Sequence, residues 1–161
     1  MTTNEYNEIV ELHADGLFRY ILKNIRDRER ASDLVQDSFE KLWVRSRDIQ
    51  FSKAKSYLFS IAHNTMIDAI RKDKREIVTD VAEMPVIADR RHYNDIKEVL
   101  DEGLKRLPDI QRSVVLLRDY EGYSYEEIGD ITGLNESQVK VYIYRARVFL
   151  KNYIGHIERV I

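Results

Sequence analysis

Tyr123-Ser-Tyr-Glu-Glu-Ile-Gly-Asp-Ile-Thr-Gly-Leu134, followed at once by Asn135-Glu-Ser-Gln-Val-Lys-Val-Tyr-Ile-Tyr-Arg-Ala-Arg-Val-Phe-Leu-Lys151, decides how this chain is read. Ser124 is placed to N-cap a short helix, and Glu127, three residues on, closes a capping box with it. Gly133 ends that helix where the chain needs a left-handed residue to turn sharply. Asn135 caps the next helix, with Gln138 as its reciprocal partner. In this longer helix Val139, Tyr142, Ile143, Ala146, Phe149 and Leu150 follow the i, i+3, i+4, i+7 rule and are expected to point inward. Ser137, Lys140, Val141, Tyr144 and Arg145 fall on the other side. Gly129 lies where the two helices cross, and a residue without Cβ lets them approach closely. A short helix, a turn containing glycine and a longer helix with a polar-basic outer face make a helix-turn-helix. From Glu136 to Ile157 the chain carries four bases (Lys140, Arg145, Arg147, Lys151) against one acid, Glu136. That balance favours a helix lying against phosphates. An αα-hairpin with a solvated basic face is the plainer alternative.

Working outward, Leu104-Lys-Arg-Leu-Pro-Asp-Ile-Gln-Arg-Ser-Val-Val-Leu-Leu precedes the motif. A helix over 95–107, striped by Ile96, Val99, Leu100, Gly103, Leu104 and Leu107, ends at Pro108, and another over 109–120 leads into the turn. Together these make a small C-terminal domain, 95–161. Residues 77–94 lose helical periodicity and contain Pro85, so they are read as a flexible linker. Its 18 residues reach roughly 60 Å extended and about 23 Å relaxed. That lets two domains straddle about two turns of duplex, at about 34 Å a turn.

Residues 1–76 read as a first domain of three helices. Tyr6, Ile9, Val10, His13, Leu17, Tyr20, Ile21 and Ile25 stripe the first, over 5–26. His13 has no second histidine or cysteine at ligand spacing, so it is read as a packed residue and not as a metal ligand. In the second helix, 29–47, Ala31, Leu34, Val35, Ser38, Phe39, Leu42 and Trp43 form the core stripe, and Asp33, Gln36, Asp37 and Glu40 a polar one beside it. Residues 49–56 break the pattern as a loop that carries Phe51 and Lys53. An aromatic between basic groups can stack on an unpaired base; equally, the ring can tuck into the core. The third helix, 56–75, turns Leu58, Ile61, Ala62, Thr65, Met66, Ala69 and Ile70 inward. Asn64, Asp68 and Arg71 stack on another face, and Lys72 belongs to a basic end. From Lys53 to Arg75 there are six bases against two acids.

The totals fit an all-α protein of two small helical domains. Of 161 residues, 34% are charged and 43% hydrophobic, with ten Tyr and only six Gly and two Pro. The absence of cysteine excludes disulfides, thiolate catalysis and cysteine-based zinc sites. No catalytic cluster, cofactor motif, metal site or small-molecule substrate is expected. The first residues lack a basic start and an apolar run, so no secretory leader is expected, and no apolar run is long enough to span a bilayer. A cytoplasmic protein is inferred. The net charge is −2, and residues 95–161 hold 10 bases and 12 acids. A domain so balanced should bind DNA weakly alone and need a partner to place it.

Two stretches resemble the extracytoplasmic-function (ECF) group of bacterial sigma factors. The first, Asp33-Leu-Val-Gln-Asp-Ser-Phe-Glu-Lys-Leu-Trp followed by Ser56-Tyr-Leu-Phe-Ser-Ile-Ala-His-Asn-Thr-Met-Ile-Asp-Ala-Ile-Arg, resembles conserved region two. The second, from Leu104 to Leu150, resembles region four. The resemblance implies a transcription initiation factor that directs core RNA polymerase to promoters. Asp33, Gln36, Asp37 and Glu40 would dock on the β′ clamp, with the β flap as a further contact. Phe51, Lys53, Asn64, Asp68, Arg71 and Lys72 would bind the single-stranded minus-ten element. Ser137, Lys140, Val141 and Tyr144 would lie nearest the bases of the minus-thirty-five duplex, and Arg145 and Arg147 nearer its phosphates. The family also implies an anti-sigma factor as a partner. The 49–56 loop does not match a familiar loop sequence. Val141 and Tyr144 make the reading face less polar than bidentate base readout needs, so DNA shape is expected to contribute. The alternative function is a free-standing helix-turn-helix regulator, with residues 1–76 sensing a signal or dimerising.

Overall fold

Four of the helices begin where a short polar side chain takes up a free backbone N–H group. The computed structural model describes residues 1–77 and 96–160, and helix is the only regular structure among them. Thr2 caps α1 (Thr3–Ile25) in a capping box with Glu5, and Asp27 caps α2 (Arg28–Val44) by accepting from the Arg30 N–H. α3 runs Phe51–Ile77, α4 Ile96–Arg106 and α5 Asp109–Val115. One wider π-helical turn, Leu116–Tyr120, continues α5. α6 (Tyr125–Thr132) and α7 (Glu136–Val160) follow. Apart from Ile77, the expected linker 77–94 lies outside the described residues. No described helix is long and apolar enough to cross a membrane.

α1, α2 and α3 pack on one another around Leu17, Ile21, Leu34, Leu42, Leu58, Ala62 and Met66. α4, α5, α6 and α7 close a second unit around Leu104, Val114, Leu117, Ile128, Val139 and Ile143. Five expectations need correction. α3 starts at Phe51 and not at 56, because buried Ala54 and Leu58 extend its stripe back by a turn. Phe51 is therefore no loop residue, and it is half-buried against the core. Trp43 is 48% exposed: the edge of Tyr6, 4.9 Å between centroids, is too small to cover an indole. Ile96, the first residue of α4, stands out in solvent, as does much of Phe149 on α7. α4 has 11 residues and cannot cover a partner of 25, so Phe149 stacks on Tyr153 instead.

The two units are not apart. α3 packs along α6, and α1 touches α4, α5 and the π-helical turn. Phe59 and His63 form a second buried stripe on α3 that faces this seam. The Phe59 ring lies 5.8 Å from Tyr20 and 5.0 Å from Tyr123 of the other unit. Next to it His63 Nδ1 is 3.0 Å from both the Tyr20 hydroxyl and Ser113 Oγ, and those two oxygens are 2.6 Å apart. Among the described residues no buried side-chain polar atom lacks a partner, as a packed seam requires.

Burial, with the charge of Arg71 second, pushes the His63 imidazole down to about 4. The ring is thus neutral in the fold but takes up a proton near 6.5 when released. Stability is fully present above pH 6.5 and falls as pH drops from 6.5 towards 4, by about 1.4 kcal/mol per unit inside that window. Urea unfolding at pH 7, 5.5 and 4.5 measures this. His63→Gln, which cannot titrate, should flatten the slope; an unchanged slope would assign it to other groups.

Candidate nucleic-acid interface

α6 and α7 meet as the capping pattern requires. Ser124 Oγ accepts from the Glu127 N–H, and Glu127 accepts in return from the Ser124 N–H. Asn135 and Gln138 make the same reciprocal pair at the start of α7, at 2.8 and 3.0 Å. Gly133 takes φ +79°, the left-handed conformation that ends α6. A Cβ on Gly129 would come 2.9 Å from the Leu134 carbonyl oxygen, so the turn folds back onto the helix more closely than any side chain permits. The glycine faces the backbone of the turn and not the crossing of the helices.

α7 then separates its faces. Val139, Ile143, Ala146 and Leu150 are buried. Ser137, Lys140, Val141, Tyr144, Arg145 and Arg147 are all exposed. Two of the bases are steered. Lys140 Nζ is 3.2 Å from Glu136 and stands over the Tyr125 ring. Arg147 is held by both oxygens of Asp119, and the Arg147 guanidinium is pushed up, first by that hydrogen bond. The exposed line of Val141 and Tyr144 continues into Val148. Sequence reading missed Val148, although it stands at i+7 from Val141.

The first unit presents two faces. Asp33, Gln36, Asp37 and Glu40 are all exposed on α2. Beside them Thr3, Tyr6, Asn7, Glu40, Trp43 and Val44 line an apolar shelf. The α2 surface is therefore acidic with an indole at its edge. Sequence reading had assigned Trp43 to the core, because its position on the stripe is right and only the missing cover is wrong.

Asn64, Asp68, Arg71 and Lys72 are exposed together on α3. Lys53 is exposed near its start, some 11 residues and roughly 16 Å before Asn64. The second unit stands over part of this helix. His63, Asn64, Ile67, Asp68 and Arg71 form one wall of a cleft of about 500 Å³, and Pro108, Asp109, Ile110, Thr132 and Leu134 form the other. At its edge Lys74 Nζ is 2.5 Å from Asp109. Burial pushes the Asp109 carboxyl up, but hydrogen bonds from Lys74 and Arg112 outweigh this and hold it below its ordinary range.

An acidic helix face, a polar-basic helix and a helix-turn-helix, in that order on two small all-α units, define a sigma-type promoter-recognition factor. The model of Sigma-70 region 2 matches residues 9–76, and that of Sigma-70 region 4 matches 97–150. ECF RNA polymerase sigma factor SigM of Bacillus subtilis (strain 168) is 30% identical over 150 residues, 90% of this chain and 92% of that protein. RNA polymerase sigma factor SigV of the same organism is 31% identical over 83% of this chain and 81% of its own length. Among solved structures, the sigma factor RpoE from Bartonella quintana superposes with TM-score 0.74 at 25% identity, over 95% of this chain and 98% of that one. The chain belongs to the ECF sigma factors. It is a transcription initiation factor that binds core RNA polymerase and recognises promoter DNA; the free-standing regulator is not favoured.

Proposed function

We propose that residues 1–76 serve core-polymerase and minus-ten binding and residues 95–161 minus-thirty-five binding, in the cytoplasm and with no catalytic step of the chain's own. The reading rests on one observation: α7 buries Val139, Ile143 and Ala146 while leaving Ser137, Lys140, Val141 and Tyr144 uncovered. A helix with one unpartnered face behind a tight turn suits the major groove. Ser137, Lys140, Val141 and Tyr144 meet base edges there, the apolar pair suiting thymine methyls. Arg145 and Arg147 meet phosphates. Phe51, Lys53, Asn64, Asp68, Arg71 and Lys72 follow the separated non-template strand. Asp33, Gln36, Asp37 and Glu40, with Trp43 at the edge, dock on the polymerase β′ clamp, and the second domain meets the β flap. RpoE was solved with the anti-sigma factor NepR, which supports an anti-sigma factor as a partner here.

Transcription by bacterial core polymerase on a supercoiled genomic library, with and without this protein, tests the reading. New 5′ ends sharing two upstream elements support it. DNA binding by the free chain with no new starts would return it to the free-standing regulator.

Asp37→Lys with Glu40→Lys should lower core affinity by about tenfold, mainly through slower association. Both residues are exposed, so unfolding stability should stay within about 0.5 kcal/mol of the parent. Unchanged core affinity would remove the docking face.

Lys140→Ala should weaken minus-thirty-five binding and make the log–log salt dependence shallower by about 0.9, the share of one phosphate contact. Lys140 must first leave Glu136, 3.2 Å away. Glu136→Gln should therefore strengthen binding modestly, and an unmoved slope in Lys140→Ala would turn the helix face elsewhere.

A further inference from the structure

The end of α1 carries an arginine where a glycine would fit with less strain. Arg26 takes φ +59°, and among the described residues it is the only one other than glycine with a positive φ. An L side chain is strained there, and helices that end this way usually do so with glycine. A side chain kept at such a position has something to place. Arg26, together with Arg19, Lys23, Arg28 and Lys97, lines a cleft of about 560 Å³ between α1, the start of α2 and α4. Small-molecule sites commonly have this volume.

Among the described residues the one acid on its walls is Asp101. Arg19, Lys23 and Arg26 are offset by Glu121, Asp101 and Glu102, at 2.6, 3.2 and 3.6 Å. Five cations against these three carboxylates leave an excess of two positive charges, in a chain whose net charge is −2. Arg28 has no ion-pair partner among the described residues. Its guanidinium stands 5.7 Å from the centre of the Phe18 ring instead. Leu22 and Leu104 supply the apolar remainder of the walls.

That lining selects a ligand by class. Arginine forks pair with phosphate oxygens, and several converging cations suit a group with more than one phosphate charge. A guanidinium over an aromatic ring is a flat platform on which a base can stack. A ligand with a single carboxylate would use only part of the charge, and an apolar one none of it. We propose that this cleft binds a free nucleoside di- or triphosphate, its base against the Arg28–Phe18 pair and its phosphates on the remaining cations. No residue assigned above to DNA or to polymerase lines the cleft, so the inference does not rest on the promoter-recognition reading.

The test uses the full chain, freed of nucleotide, in calorimetric titrations with ATP, GTP, pyrophosphate and adenosine. One nucleotide should bind per chain and raise the Tm as its concentration rises. Pyrophosphate should bind about tenfold more weakly, the share of one stacked base, and adenosine should give no measurable heat. Arg26→Gly separates placement from structure. Glycine suits φ +59°, so thermal stability should hold or rise. Nucleotide affinity should nevertheless drop about tenfold, the share of one charged hydrogen-bonding group. Arg28→Lys keeps the charge and loses the plane, so it should weaken ATP and GTP while sparing pyrophosphate. Arg28 is exposed, so this variant reads binding even where Arg26→Gly disturbs the turn. Lys151→Ala removes an exposed base outside the lining and should leave every affinity unchanged. No saturable binding of ATP or GTP at millimolar concentration overturns the site. Binding that neither Arg26→Gly nor Arg28→Lys weakens places the anion elsewhere and overturns it too. Pyrophosphate that binds as tightly as the nucleotides overturns the nucleoside assignment.

Discussion

Arg112→Ala should destabilise the chain by about 3–5 kcal/mol, the usual cost of breaking a buried charge network from one side. Arg112 is 5% exposed. Its Nη2 donates to Asp109 at 2.7 Å, its Nη1 to the Leu107 carbonyl at 3.1 Å and its Nε to Asn24 at 3.3 Å. One guanidinium thus fastens the end of α4 and the start of α5, and reaches α1 across the seam. Truncation strands the buried Leu107 carbonyl and the Asn24 amide oxygen, and leaves the Asp109 carboxylate to Lys74 alone. Arg112→Lys should rescue little, because an ammonium cannot serve three acceptors in a planar fork. Thermal unfolding measures it; a Tm drop of roughly 10 °C or more is expected at this size. A loss below about 1 kcal/mol would mean that water satisfies the acceptors.

Phe59→Ala should cost about as much, 3–5 kcal/mol, by emptying a ring-sized space that its neighbours cannot close. Phe59 is 2% exposed, with Tyr20 on one side and Tyr123 on the other. Lys55 Nζ, 4.4 Å above the Tyr123 ring, covers the same patch. The effect should be shared: α1 and α3 lose core contact, and the second domain loses its apolar footing on α3. Denaturant unfolding, expected as a single transition in the parent, should separate into two, since each domain alone is small enough to be marginal. A purely local role for Phe59 would keep one transition, shifted. Phe59→Leu should be milder, keeping most of the volume and losing only the ring edges.

The contrast between these residues and the helix-turn-helix shows what was legible. Ser124 with Glu127, Asn135 with Gln138, and Gly133 act within four residues of themselves, so spacing alone placed them. The inward set of α7 held at Val139, Ile143, Ala146 and Leu150, where α4, α5 and α6 cover it, and failed at Phe149. Trp43 and Ile96 failed for the same reason. Periodicity says which side of a helix is apolar, not whether anything lies opposite. In reverse, Phe59, His63, Arg112 and Ser113 were left out of the core, because the stripe that buries them is made by another domain. The π-helical turn at Leu116–Tyr120 was also invisible, since a single widened turn leaves no signature in the spacing. The candidate DNA and polymerase faces were legible because exposed polar residues repeat at helical intervals.

By itself, the order of residues determined an all-helical chain of two units, the caps that start and stop the reading motif, and the outer faces of α2, α3 and α7. Those depend on hydrogen bonds and periodicities that close within one or two turns. Only the tertiary structure decided that the units pack on each other, that acidic residues of the second neutralise basic residues of the first, and that a histidine, a tyrosine and a serine meet in the seam. Arg19 and Glu121 are 102 residues apart. A contact that distant leaves no periodic trace in the chain and exists only once both helices have been placed.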